Sequence, residues 1–228
     1  MVCRVAPDVG GGLREKTIHY RGKNITVGFN PDRCTHVAEC LRSLPDVFDN
    51  SRRPWIDPDA ASADAVAEVI VRCPTGALHF MRTDGGPEEP VPEENVILVS
   101  EDGPYFVKGD VEIRSPDGNL QHRDTRIALC RCGASQHKPF CDGRHFFVDF
   151  EDSGALAKGC PQPTVPPRTE TALTVTLPPK GPLPVSGPFT LRQEFSETGI
   201  RGTRISLCRC GASKTKPCCD GSHIRIGA

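Results

Sequence analysis

Cys130-Arg131-Cys132-Gly133-Ala134-Ser135-Gln136-His137-Lys138-Pro139-Phe140-Cys141-Asp142-Gly143-Arg144-His145 is the stretch on which the reading of this chain turns. Three thiols and one imidazole stand at C-x-C-x8-C-x3-H with turn formers between them, which is what a metal site assembled from one loop requires. The stretch occurs twice. Cys208, Cys210, Cys219 and His223 repeat Cys130, Cys132, Cys141 and His145 at one constant offset of 78 residues. That constancy marks a duplicated metal-binding unit.

The repeat extends outward from the ligands. Residues 96–99 read as a first strand matched by residues 174–177, Gly103-Pro104 by Gly181-Pro182, Gly109 by Gly187, and residues 125–129 by residues 203–207. Each copy therefore reads as short strands, turns and a ligand loop. Pro139 and Pro217 restrict the backbone before the third thiol, Asp142-Gly143 and Asp220-Gly221 supply a turn or cap that swings the histidine back, and Gly133 and Gly211 permit close backbone approach. Comparing the copies sorts the spectators: His137 faces Thr215 and His122 faces Ile200, so neither is expected to ligate. Cys218 replaces Phe140 beside the ligand Cys219, and adjacent side chains of an extended segment point to opposite faces, so Cys218 should point away from the metal.

Composition agrees with small units. Of 228 residues only 37% are apolar and 6% aromatic, with 22 Gly and 22 Pro, so each core is modest and needs a further constraint such as a metal cluster. The net charge of −1 gives no broad basic surface, so neither nucleic acid nor membrane is expected as a partner. No run approaches the roughly twenty apolar residues of a membrane span, and the N-terminus lacks a signal-peptide core. A soluble, cytoplasmic protein with twelve cysteines is expected, and in that reducing compartment the clustered thiols with a spaced histidine are expected as metal ligands rather than disulfides.

Toward the N-terminus, residues 1–16 read as a loose arm. Residues 17–20 and 25–29 flank Arg21-Gly22-Lys23-Asn24 as a hairpin, and Asn30-Pro31-Asp32 delivers the chain to Cys34. A helix capped by Thr35 is expected to run to about Ser43. A second, capped by Ser62, carries Val66, Val69, Ile70 and Cys73 at i, i+3, i+4 and i+7, with Pro74 ending it. Residues 76–80 resume as a strand, residues 82–95 form a Pro, Gly and Glu-rich linker, and residues 152–171 form a stiffer one. The expected units are thus 17–81, 96–151 and 172–228.

The two loops resemble the CDGSH iron-sulfur family, which includes the mitoNEET-type proteins, with its Cys-x-Cys, Ser, Lys-Pro and Cys-Asp-Gly-Ser-His. Cys219-Asp220-Gly221-Ser222-His223 matches in full, and the first copy departs only at Arg144. The resemblance implies a [2Fe-2S] cluster on three cysteines and one histidine in each loop. Spacing alone accommodates a Cys3His zinc site equally well. Upstream, Tyr20-x-Gly22, Ile25-x-Val27, Cys34-x-His36, Cys40 and Cys73-Pro74-Thr75-Gly76-Ala77-Leu78 are similar to the divergent 4Fe-4S mono-cluster family, although Val37 stands where a middle cysteine would be. Cys34, Cys40 and Cys73 then suit a [3Fe-4S] cluster, and a [4Fe-4S] cluster would draw on His36, water or an external ligand.

These resemblances imply an α+β chain: a small ferredoxin-like unit followed by two β-rich CDGSH units that pair within one chain as an intramolecular pseudo-dimer. Nothing in the sequence resembles a catalytic dyad, a phosphate-binding glycine loop or a nucleophile elbow, so no catalytic residue and no enzymic activity are expected. One-electron transfer with redox partner proteins leads. Delivery of clusters to apo-acceptor proteins, or redox and pH sensing, is the second reading, and a zinc-held interaction module the third.

Overall fold

The computed structural model describes residues 16–158 and 172–228. Cys3 and Cys160, with most of the expected arm and second linker, lie outside the described residues. Among the described residues the regular structure is mostly strand, with few and short helices, and no described helix is long and apolar enough to cross a membrane.

In the N-terminal unit, β1 (Ile18–Arg21) and β2 (Ile25–Phe29) form the expected hairpin, closed by Gly22 N–H donating to Ile25 O at 2.9 Å. β3 (Leu78–Arg82) pairs antiparallel with the other edge of β2. Helix α2 (Ala63–Ile70) starts where Ser62 Oγ accepts from Ala65 N–H, and it lays Val66, Val69 and Ile70 onto Ile25, Val27 and Leu78. Three details depart from the sequence reading. The helix expected from Thr35 is only α1 (Glu39–Ser43), because His36 and Ala38 adopt left-handed φ of 57° and 62°, which an α-helix excludes. Cys73 follows the end of α2 instead of riding its face, and Arg82, placed in the linker, closes β3.

The remaining strands form one six-stranded sheet: β4 (Val96–Val99), β5 (Tyr105–Arg114), β6 (Leu120–Leu129), β7 (Leu173–Thr176), β8 (Leu183–Gln193) and β9 (Ile200–Leu207). Each long strand, β5 or β8, pairs with its hairpin partner along one edge. Along the other edge it takes a short strand from each copy. β4 pairs antiparallel with β5 (Val96 opposite Lys108) and parallel with β8 (Val96 opposite Thr190). Reciprocally, β7 pairs antiparallel with β8 (Thr174 opposite Ser186) and parallel with β5 (Val111 opposite Leu173). Between the two partners each long strand bulges at Gly109 or Gly187, where a Cβ would fall 2.1 Å from Asn95 Oδ1 or 2.2 Å from Ala172 O. The inward faces of both copies fill one core, from Ile97, Val107 and Ile113 to Leu173, Val185 and Leu191.

A buried polar network joins the N-terminal unit to the first repeat. Arg33, beside Cys34, pairs with Asp124 at 2.7 Å and donates to Thr75 O and Arg126 O, each at 2.9 Å. Arg126 donates to Ile70 O and Leu78 O and pairs with Glu89, so the expected linker is strapped down at that residue. His79 lies between two carboxylates, Nδ1 at 3.0 Å from Glu89 and Nε2 at 3.3 Å from Asp124. Burial alone would lower the His79 pKa, but Asp124 and Glu89 outweigh it and raise the value to about 9. A raised histidine pKa stabilises the fold fully below its unfolded value near 6.5 and loses that contribution as pH climbs through about 9. The urea midpoint should accordingly fall between pH 6.5 and 9.5, and His79→Gln should lower the midpoint at pH 6 while removing most of that pH-dependent fall. An equal fall in the variant would contradict the assignment.

Candidate metal centres

The two ligand loops share one frame of hydrogen bonds. Cys130 N–H donates to Pro139 O at 2.8 Å and Cys141 N–H to Ala128 O at 2.8 Å; their counterparts, Cys208 to Pro217 and Cys219 to Ser206, measure 2.8 and 3.0 Å. Ser135 Oγ and Ser213 Oγ each donate at 2.7 Å to the carbonyl before the third thiol, of Phe140 and Cys218. Asp142 accepts from Gln136 N–H and Arg144 N–H, as Asp220 does from Lys214 N–H and Ser222 N–H. Gly143 and Gly221, both at φ 83°, then start the short helical turn that brings the histidine round. Lys138-Pro139 and Lys216-Pro217 are both cis.

Within each loop the ligands come together as two pairs. Cys130 Sγ and Cys132 Sγ are 3.8 Å apart, and Cys141 Sγ is 3.3 Å from His145 Nδ1; in the second loop the distances are 3.6 and 3.2 Å. Two sulfurs on one tetrahedral centre with bonds of about 2.3 Å stand about 3.8 Å apart, so each pair has the spacing of ligands on one metal ion. Among the described residues no three His, Cys, Asp or Glu groups converge on a single ion. Each loop supplies two such pairs, a donor set that a dinuclear group with one pair on each metal would fit. In both copies it is Nδ1 of the histidine that faces the thiol.

Backbone amides point at the sulfurs: Ala134 N–H lies 3.4 Å from Cys132 Sγ and Gly221 N–H 3.4 Å from Cys219 Sγ. Burial raises the Cys141 thiol to about 12 and also raises Cys208, so loading metal at neutral pH must expel protons. The copies differ in exposure. His145 is 6% exposed and stacked against Phe146, whereas His223 is only half-buried, beside exposed Ile224. Burial, aided by Arg131, lowers the His145 pKa. Among the spectators, His137 is exposed, and His122 sits in the interface network 3.1 Å from Asp124. Cys218 points into the core and is disulfide-bonded. The expectation that Cys218 points away from the metal holds, and the expectation against disulfides fails at this one side chain, which lies apart from the ligand pairs.

The loops also meet each other. A Cβ on Gly133 would lie 2.8 Å from Cys210 O, and one on Gly211 2.6 Å from Cys132 O, both at positive φ of 84° and 79°. Tyr105 Oη, buried in the core, lies 2.8 Å from Cys208 O and 3.0 Å from Pro217 O, tying the first repeat to the second ligand loop.

In the N-terminal unit Cys34, Cys40, Cys73 and His36 line one cavity, with Cys34 Sγ 3.9 Å from His36 Nδ1. Burial raises Cys34, and raises Cys40 to about 11, with the Cys73 thiol adding to both. Val37, in place of a middle cysteine, is 41% exposed. Thr35 Oγ1, in the lining of that cavity, is buried without a hydrogen-bond partner, as an acceptor-rich sulfide cluster would leave it in the cluster's absence. Cys34, Cys40 and Cys73 thus fit an iron-sulfur group.

Gly133→Ala tests the contact between the loops. The left-handed φ alone costs about 1–2 kcal/mol for a residue with a Cβ, and the methyl group pushes on Cys210, so metal should be lost from the second loop as well as the first. No further loss of iron when Gly133→Ala is added to a Cys130→Ser background, in which only the second of the two CDGSH loops can load, would contradict it.

Comparison with known proteins agrees with this geometry. Residues 20–83 match the family described as divergent 4Fe-4S mono-cluster, and residues 102–146 and 180–224 each match the iron-binding zinc finger of CDGSH type. The N-terminal part is similar to the uncharacterized protein YjdI of Escherichia coli, from strains K12 and O157:H7, at 41% identity over 61 residues, covering 27% of this chain and 80% of that protein. No solved structure matches. This chain belongs to the divergent 4Fe-4S mono-cluster family through its N-terminal part and carries two tandem CDGSH-type iron-binding domains.

Proposed function

We propose that this iron-sulfur protein carries a [2Fe-2S] cluster on Cys130, Cys132, Cys141 and His145, a second on Cys208, Cys210, Cys219 and His223, and a [3Fe-4S] or [4Fe-4S] cluster on Cys34, Cys40 and Cys73, with His36 as the available fourth ligand. The carrying observation is the pairing of ligands within each CDGSH loop, which suits one pair on each of two metal ions. The bound clusters supply one-electron oxidation and reduction, and the chain acts with redox partner proteins as an electron carrier, without enzymic activity of its own. The protein works in the cytoplasm as a monomer in which the two CDGSH units form a pseudo-twofold pair and the N-terminal unit is ferredoxin-like.

The chain's own residues support exchange between the two kinds of centre. Arg33, next to Cys34, bonds to Thr75 O near Cys73 and lies 4.7 Å from the centroid of the Phe140 ring, next to Cys141. Ligand-bearing segments of both units are therefore joined through one buried side chain. A second reading, delivery of a cluster to an apo-acceptor or redox and pH sensing, is favoured by the half-buried Cys210, Cys219 and His223. The imidazole is the ligand that protonates and leaves most readily. A zinc-stabilised interaction module is the third reading.

Metal and acid-labile sulfide analysis of anaerobically purified protein, with visible and EPR spectra, separates these. Iron with sulfide is expected, and zinc without either would overturn both iron readings. Acid loss should be biphasic: the second CDGSH cluster bleaches at higher pH, because His223 is half-buried and open to water while His145 is shielded. His223→Cys should abolish the first phase alone, and unchanged bleaching in that variant would contradict histidine ligation.

A further inference from the structure

Thr35 directly follows the ligand Cys34, and the sequence reads it as a helix cap. It caps nothing: α1 begins only at Glu39, behind Ala38, and no side chain bonds to its first turn. The side chain of Thr35 lines the cavity shared by Cys34, Cys40 and Cys73 instead. There it is 6% exposed, and among the described residues its Oγ1 has no hydrogen-bond partner. Buried hydroxyls are bonded in the great majority of folds, so this one points to a group that the cavity is built to hold.

Other hydroxyls beside the ligands are engaged. Ser135 Oγ and Ser213 Oγ each donate at 2.7 Å to a backbone carbonyl of their own loop. Thr75, two residues after the ligand Cys73 and 3% exposed, accepts from Ala77 N–H at 3.2 Å, and its Oγ1 lies 3.5 Å from Cys73 Sγ. A metal-bound thiolate only accepts, so the Thr75 proton is then directed at that sulfur. Thr35 and Thr75 thus bring two buried hydroxyls to one cavity, whose other walls include Phe29, Trp55 and Leu78. Between apolar walls an added negative charge has little water to face, and hydrogen-bond donors are the groups that offset it.

We propose that the Thr35 hydroxyl donates to a sulfur of the iron-sulfur group held by Cys34, Cys40 and Cys73, and that Thr35 and Thr75 together raise the reduction potential of that centre. The inference rests on the reading of the site as an iron-sulfur centre and on nothing about where its electrons go. Thr35 ligates no metal. It acts because each added electron makes the sulfurs stronger acceptors, so a fixed donor stabilises the reduced form more than the oxidised one. The sulfurs of the CDGSH loops are served by backbone N–H groups, of Ala134 and Gly221, whereas here the donor is a side chain that a single substitution removes.

The test uses the full chain with its clusters loaded anaerobically. The EPR signal that Cys73→Ser removes belongs to this centre, and its titration with dithionite gives the midpoint; one electron enters and the hydroxyl keeps its proton. Thr35→Val keeps the shape of the side chain and deletes the donor. At the wild-type midpoint its reduced-to-oxidised ratio should fall about tenfold, a downward shift of about 59 mV for one electron. Thr35→Ser returns the hydroxyl and should restore the wild-type midpoint. Loss of this cluster in Thr35→Val with full loading in Thr35→Ser would equally assign the contact to the hydroxyl. An unchanged midpoint in Thr35→Val, or Thr35→Ser behaving as Thr35→Val does, overturns the proposal. Wild-type protein without iron and sulfide at these three cysteines overturns the reading of the site and the proposal with it, and metal and sulfide analysis tells that failure from the other.

Discussion

Neither CDGSH copy completes its own sheet. The outer half of each long strand is paired by the short strand of the other copy, β7 on β5 and β4 on β8, so that removing either copy would leave unpaired backbone and an open core in the other. The contacts between the two metal loops follow from this exchange. It brings Gly133 against Cys210 and Gly211 against Cys132, places Tyr105 under Cys208, and lets Lys216 reach Asp152. A tandem duplication has thus been folded into a single body with two related loops at its centre.

The duplication also made room for divergence. The first loop is the more enclosed: His145 is covered by Phe146, Arg131 is sealed by Phe150 and Asp152, and Phe140 carries the guanidinium of Arg33 from the N-terminal unit. The second loop has Ile224 and Cys218 at the positions of Phe146 and Phe140. One copy therefore faces inward to the third ligand cluster and the other outward. The division is in keeping with the electron-carrying role proposed above.

Much of this was legible in the sequence. The offset of 78 residues singled out eight candidate ligands, which the fold brings together in pairs, and set aside His122, His137 and Cys218, because loop chemistry is local and repeats with the loop. Hairpin and cap signals at Gly22 and Ser62 were local too. What escaped was long-range or conformational. The exchange of β4 and β7 carries no local signal, since a short apolar strand reads the same whichever edge it joins. Arg33, His79, Glu89, Asp124 and Arg126 look like ordinary surface charges until the fold buries them together. The helix expected after Thr35 was lost to left-handed turns at His36 and Ala38, which propensity does not foresee, and the role of Asp152 appeared only once Arg131 was seen beside it.

The central claim is that each CDGSH loop presents two ligand pairs, one of them bearing a histidine Nδ1. Pulsed EPR of the reduced protein labelled with ¹⁵N-histidine addresses it most directly. The account predicts two cluster signals with nitrogen coupling, one abolished by His145→Cys and the other by His223→Cys. Cluster signals without nitrogen coupling, or coupling that survives both substitutions, would contradict it.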